Sequence, residues 1–182
     1  TLLDFLKEHK DQRIIISIED GKAFIEEGGI NYFKLIKQIC NNWVLRFPSM
    51  FDEKTITLDQ CRDVAGAALP FFFNDYIDKW DVLYGYFALG VSDIYITNEL
   101  GFELDKISKI AKEKNVKIRV LPNVAQSSWF DTDDLRKFFI RPEDIENYLP
   151  YVDVFEFYET DPSKPQVGSI LYKAYAKDKR WY

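Results

Sequence analysis

Arginines and carboxylates that close short apolar runs are the residues of this chain best placed to do chemistry. Arg46 and Arg141 each lie inside a strand-like run that a proline soon ends. A guanidinium there is costly to bury unless an acid meets it. Glu19, Glu99 and Glu156 end other apolar runs and are the natural partners. A functional reading makes this an anion or carboxylate site: Arg46, Asn98, Asn123, Gln126 and Arg141 bind a ligand, and Glu99 and Glu156 move protons if the chain is an enzyme. The plainer reading, a rim of structural salt bridges, is preferred.

Other chemistries are harder to build. The one histidine, His9, sits in the charged segment Lys7-Glu8-His9-Lys10-Asp11, far from any nucleophile in sequence, which disfavours Ser-His-Asp and Cys-His catalysis. Ser127-Ser128 has no base nearby. Cys40 and Cys61 form no C-x-x-C pair, no HExxH helix is present, and Asp131, Asp133 and Asp134 read as a solvated loop and helix cap; no metal site is expected. Glu26-Glu27-Gly28-Gly29 lacks the GxGxxG spacing and no P-loop occurs, so no cofactor is expected either. Carboxylates without histidine leave paired acid and base work, as in glycoside hydrolysis, or an oxygen-ligand magnesium site, and neither spacing is specific. The two cysteines read as buried free thiols of a reducing compartment, hence a cytoplasmic protein.

With 182 residues, 47% hydrophobic and 30% charged, the chain holds enough apolar material for one ordinary core, and residues 1–182 read as a single domain. The 16% aromatic content marks a chain that folds. A net charge of -6 argues against a nucleic-acid binder, whose affinity comes from Lys and Arg on phosphates. The longest apolar run, residues 65–73, is interrupted by Pro70 and falls well short of the roughly 18 to 20 residues of a membrane span. The opening Thr1 and the closing Trp181-Tyr182 suggest a polypeptide that continues beyond both ends. Its Lys-, Ile- and Asn-rich usage is compatible with an AT-rich bacterium or its phage.

Elements that could position these residues alternate along the chain. Residues 13–19 (RIIISIE) read as a buried strand closed by an Asp20-Gly21 turn, and residues 30–41 as a helix. Residues 43–47 (WVLRF) are a strand, and Thr57 caps a helix running through Ala68. Pro70 to Asn74 is a short strand or a helix end; residues 77–89 read as a helix that Gly90 stops. Phe71-Phe72-Phe73, Trp80, Tyr84 and Phe87 are most simply core. Residues 91–97 and 116–121 flank the helical stretch 101–115 in a β-α-β unit, which makes the two strands parallel. A polar loop, residues 126–134, carries Trp129 and Phe130, expected to be exposed as an interaction surface. A strand-like 138–141, a helix start at Pro142-Glu143-Asp144 and a strand at 152–158 follow; residues 170–176 fit an edge strand or a helix.

The fold class expected is α/β, a parallel sheet of repeated β-α units forming a complete or partial TIM-barrel-like arrangement. The stretch Leu89-Gly90-Val91-Ser92-Asp93-Ile94-Tyr95-Ile96, through Glu99-Leu100-Gly101 to Ile118-Arg119-Val120, resembles a β-α-β unit of the U32 (collagenase-like) peptidase family. That resemblance implies a TIM-barrel-like domain. The Glu- and Cys-containing signature of the family does not follow Glu156-Phe157-Tyr158-Glu159, so the likeness carries the fold and not the peptidase activity. In a barrel the strand-end groups Asn98, Glu99, Asn123, Arg141 and Glu156 share one face.

Two functions fit. One is a non-enzymatic domain that binds a protein partner through a barrel-like scaffold; the other is a U32-like or glycosidase-like hydrolase using strand-end carboxylates and arginines. An open cleft lined by Glu99, Asn123, Arg141 and Glu156 would favour the hydrolase, and a filled rim the binder.

Overall fold

A computed structural model describes residues 1–97, 103–121 and 145–156. The chain is of mixed α/β class, with parallel strands in two sheets, and it divides into two compact units: Thr1–Asp75 with Tyr84–Asp93, and Tyr76–Leu83 with Ile94–Tyr182.

The first unit is built on a three-stranded sheet in the order β1 (Ile14–Ser17), β2 (Trp43–Phe47), β3 (Phe71–Phe73). Both pairings are parallel, with Ile15 opposite Val44 and Leu45 opposite Phe71. The central strand buries Trp43, Val44, Leu45 and Phe47, and β3 buries all three of its phenylalanines. Among the described residues strand β1 is terminal in this order, and it is only half-buried, a correction to the buried strand its β-branched run suggests: apolar composition does not reveal how much of a strand its neighbours cover.

Helices α1 (Leu2–Glu8), α2 (Gly21–Glu26), α3 (Gly29–Ile39) and α4 (Leu58–Gly66) connect and flank these strands. The Asn42 amide nitrogen donates to the carbonyls of Leu6, His9 and Gln12 at 3.1, 2.9 and 3.2 Å, tying the end of α1 to the start of β2. Asp20-Gly21 opens α2 instead of forming a turn. The Asp20 carboxylate accepts from Ala23 N at 3.0 Å, the N-cap geometry that Asp favours as readily as a turn. Gly28, at φ +80°, and Gly29, where an added Cβ would meet the Phe24 ring at 2.4 Å, let α2 turn directly into α3. Thr57 forms a full capping box with Gln60 at the head of α4, which ends at Gly66, two residues before the expected Ala68.

Aromatic packing fills the core of this unit. The Phe33 and Trp43 rings lie 5.0 Å apart, Phe24 and Phe47 5.4 Å, and Phe73 and Tyr86 5.8 Å.

In the second unit the sheet order is β4 (Tyr76–Ile77), β5 (Asp93–Ile96), β6 (Lys117–Val120), β7 (Val154–Phe155), with β4–β5 and β6–β7 parallel. The two strands read as a β-α-β unit, β5 and β6, are hydrogen-bonded neighbours, and α6 (Leu104–Glu113) lies between them in sequence. It buries Leu104, Ile107, Ser108 and Ala111, positions on one helical face. A short helix, Ile145–Tyr148, precedes β7.

Helix α5 (Trp80–Leu89) starts three residues later than its sequence suggests, because Tyr76 and Ile77 pair with Tyr95 and Ile96. It is apolar nearly all round and buries Leu83, Tyr86 and Phe87, which leaves Tyr84 51% exposed and outside the core.

Candidate functional site

In the first unit a cleft of about 350 Å³ opens at the C-terminal ends of β1, β2 and β3. Its polar lining is Ser17, Glu19, Arg46, Ser49, Asp52 and Asn74, with Ile18, Phe47 and Pro48 as the apolar part. Parallel pairing explains the convergence: Ser17 is opposite Arg46, and Phe47 opposite Phe73, so the residues closing each strand emerge together. Arg46 is half-buried, and its Nη2 donates to Ser17 Oγ at 2.7 Å. Glu19 and Asp52 share the lining with it.

The loop after β2 forms one wall and is held from several sides. Met50 N donates to Asp75 Oδ2 at 2.9 Å, and the buried Tyr86 hydroxyl donates to the same oxygen. Thr55 Oγ1 donates to the Pro48 carbonyl at 2.9 Å, and Lys54 N to Asp52 Oδ1 at 2.8 Å. Asn74 N donates to Phe47 O at 2.9 Å, fixing the end of β3 beside the end of β2. Burial and the neighbouring Asp75 carboxylate push the Tyr86 hydroxyl above its ordinary pKa, so it stays a proton donor.

Glu156 has a different setting. It follows β7 in the second unit, is buried, and both carboxylate oxygens are engaged: Arg119 Nη1 meets Oε1, and Tyr95 Oη donates to Oε2 at 2.9 Å. Its arginine partner is therefore Arg119 of β6, a residue passed over in the sequence although it too is a charge inside an apolar strand. The same signal marks Asp93, whose buried carboxylate in the first unit receives Arg13 in a two-point ion pair at 2.7 and 3.0 Å. Ser17, Ser49, Asp52 and Asn74 were also missed, being ordinary polar residues until the sheet gathers them.

Asn98, Glu99, Asn123, Gln126, Trp129, Phe130 and Arg141 lie outside the described residues. Asp20 is the cap of α2. His9 closes α1, with its ring 4.2 Å from that of Phe5 and its Nδ1 2.8 Å from the Phe5 carbonyl. Cys40 and Cys61 are both free thiols; Cys61 is buried, while Cys40 is only half-buried because it ends α3 at the surface. Burial pushes the Cys61 thiol up to about 11. Among the described residues no group of three or more His, Cys, Asp or Glu is placed to hold a metal ion, and no helix is long and apolar enough to cross a membrane.

No protein-family model and no curated protein matches the chain.

Proposed function

We propose that this chain is a non-enzymatic protein-interaction domain on a complete or partial TIM-barrel-like scaffold in the cytoplasm. The observation that carries the reading is a stripe on α3: Tyr32, Leu35 and Ile39 follow one another at helical spacing and are 48%, 62% and 59% exposed. Large apolar side chains clustered on one exposed face are what a protein partner covers. The barrel-like scaffold is supported by sheets whose strand order follows chain order, as successive right-handed β-α units produce. Two free thiols accord with a reducing compartment. The hydrolase alternative asks a strand-end carboxylate to move a proton, and Glu156 has both oxygens engaged by Arg119 and Tyr95.

The test places a photo-crosslinking residue at position 35 and assays the purified chain on peptides and aryl glycosides. A discrete protein adduct that Ile39→Asp abolishes, with no turnover, is the expected result. Turnover by the purified chain that a Glu156→Gln variant shown to be folded by circular dichroism lacks would establish the hydrolase instead.

A further inference from the structure

The exposed side of α6, in the second unit, is a basic patch on an acidic protein, independently of the stripe on α3. Residues 106–119 hold five lysines and Arg119 against a single acid, Glu113, in a chain whose net charge is -6. A local reversal of sign of this kind draws anions to that place. A groove of about 320 Å³ lies there, lined by Asp105, Lys106, Ser108, Lys109 and Lys112 of α6. Pro150 and Tyr151, in the turn that precedes β7, complete the lining. Its volume is near the lower end of the roughly 300–1,000 Å³ of ligand pockets, suited to one small molecule.

Three of the lining side chains are left without partners. Lys109 and Lys112, both exposed, make no ion pair among the described residues. Asp105 stands four residues before Lys109, a spacing at which acid and lysine pair readily, and the two do not meet. Lys106 differs, since its Nζ lies 3.7 Å from Glu103 Oε1. Ser108 is only 4% exposed, and its hydroxyl has no hydrogen-bond partner among the described residues. A buried hydroxyl in that state costs free energy that an acceptor on a ligand would recover. Ser108 is one turn from Lys112, and Lys112 one turn from Lys109, so the three lie on neighbouring positions of one helical face.

These donors decide the class. Two uncommitted ammoniums match the roughly two negative charges of a phosphate monoester, and the Ser108 and Tyr151 hydroxyls add donors for its three terminal oxygens. A carboxylate, with one charge and two oxygens, would leave much of this set unused. Asp105 brings a carboxylate to the same lining, which a phosphate avoids and a hydroxyl elsewhere on the ligand can meet by donating to it. From these observations we propose that the groove binds a small hydroxylated phosphate monoester, with its phosphate on Lys109, Lys112 and Ser108 and a hydroxyl on Asp105.

Calorimetric titration of the full chain with sn-glycerol 3-phosphate, methyl phosphate and glycerol tests this, the second probe lacking the hydroxyls and the third the phosphate. Glycerol 3-phosphate should bind most tightly, methyl phosphate severalfold more weakly, and glycerol more weakly again. Lys109→Gln and Lys112→Gln stand at exposed positions and should each weaken glycerol 3-phosphate about tenfold, the loss of one charge-assisted contact. Ser108→Ala should weaken it severalfold. Lys117→Gln removes the same charge at an exposed position outside the lining and should leave the affinity unchanged, which separates a site from general attraction to the patch. Methyl phosphate or glycerol binding as tightly as glycerol 3-phosphate, equal weakening by Lys117→Gln, or heat from none of the three overturns the proposal. So does a phosphoserine peptide that binds through Lys109 and Lys112 when glycerol 3-phosphate does not, since the groove would then read a modified protein.

Discussion

Arg13 and Asp93, eighty residues apart, face each other in a two-point ion pair, Nη1 to Oδ2 at 2.7 Å and Nη2 to Oδ1 at 3.0 Å. Arg13 immediately precedes β1, and the Asp93 side chain is wholly buried, so the pair ties the start of the first strand into its unit. Removing one partner of a buried pair costs far more than the pair contributes, because the other charge stays in the interior. Arg13→Met should destabilise the protein by about 3 kcal/mol in urea denaturation.

The Arg119–Glu156–Tyr95 cluster in the second unit allows its two contacts to be separated. Tyr95→Phe removes one hydrogen bond to a charged acceptor and should cost about 2 kcal/mol. Glu156→Gln leaves the buried Arg119 facing a neutral amide and should cost about 3 kcal/mol or more. A double-mutant cycle should give a coupling of about 1 kcal/mol, since both substitutions act on the same carboxylate. Strict additivity would show that the two contacts act independently.

Alkaline pH should unfold this protein before neutral pH does. The Cys61 thiol is raised from 9.0 to about 11 in the folded state, and the Tyr86 hydroxyl is raised as well. For a raised folded-state pKa the unfolded chain loses its proton first, so the contribution is whole below pH 9 and disappears as pH rises toward 11. The Cys61 share should be on the order of 1–3 kcal/mol, read as a falling melting temperature that Cys61→Ala flattens. In the native protein a thiol reagent at neutral pH should modify Cys40 well before Cys61.

Gly90 ends α5 at φ +81°, and among the described residues a Cβ built there would approach only Ala65 Cβ, at 3.4 Å. Space is therefore adequate and backbone conformation carries the cost. Gly90→Ala should destabilise by about 1–2 kcal/mol, the cost of placing an L side chain in the left-handed region. At the opposite kind of helix end, Thr57→Ala should cost about 1 kcal/mol by opening the capping box of α4. Thermal melts check both.

Local physics made much of the fold legible. β2 has the bounds its apolar run suggests, Thr57 caps its helix, Gly90 stops another, and α6 lies within the helical stretch 101–115. Each depends on a few neighbouring residues, on side-chain periodicity, a cap or a permitted φ, and that information is contiguous in the chain. Arg46 was also readable as a strand-end charge, because a guanidinium inside an apolar run stands out wherever the strand ends up.

What tertiary structure alone decided is which residues meet. Arg119 holds Glu156; Arg13 crosses eighty residues to Asp93; Ser17, Arg46 and Asn74 come to one cleft from the ends of three strands. Tyr84 stays outside while Tyr86 goes in, although both are tyrosines of one apolar helix. The sequence determined strands and helices by short-range sterics and periodicity, whereas partner choice depends on sheet order and register, which bring distant positions within a few ångströms and are properties of the whole chain packed together.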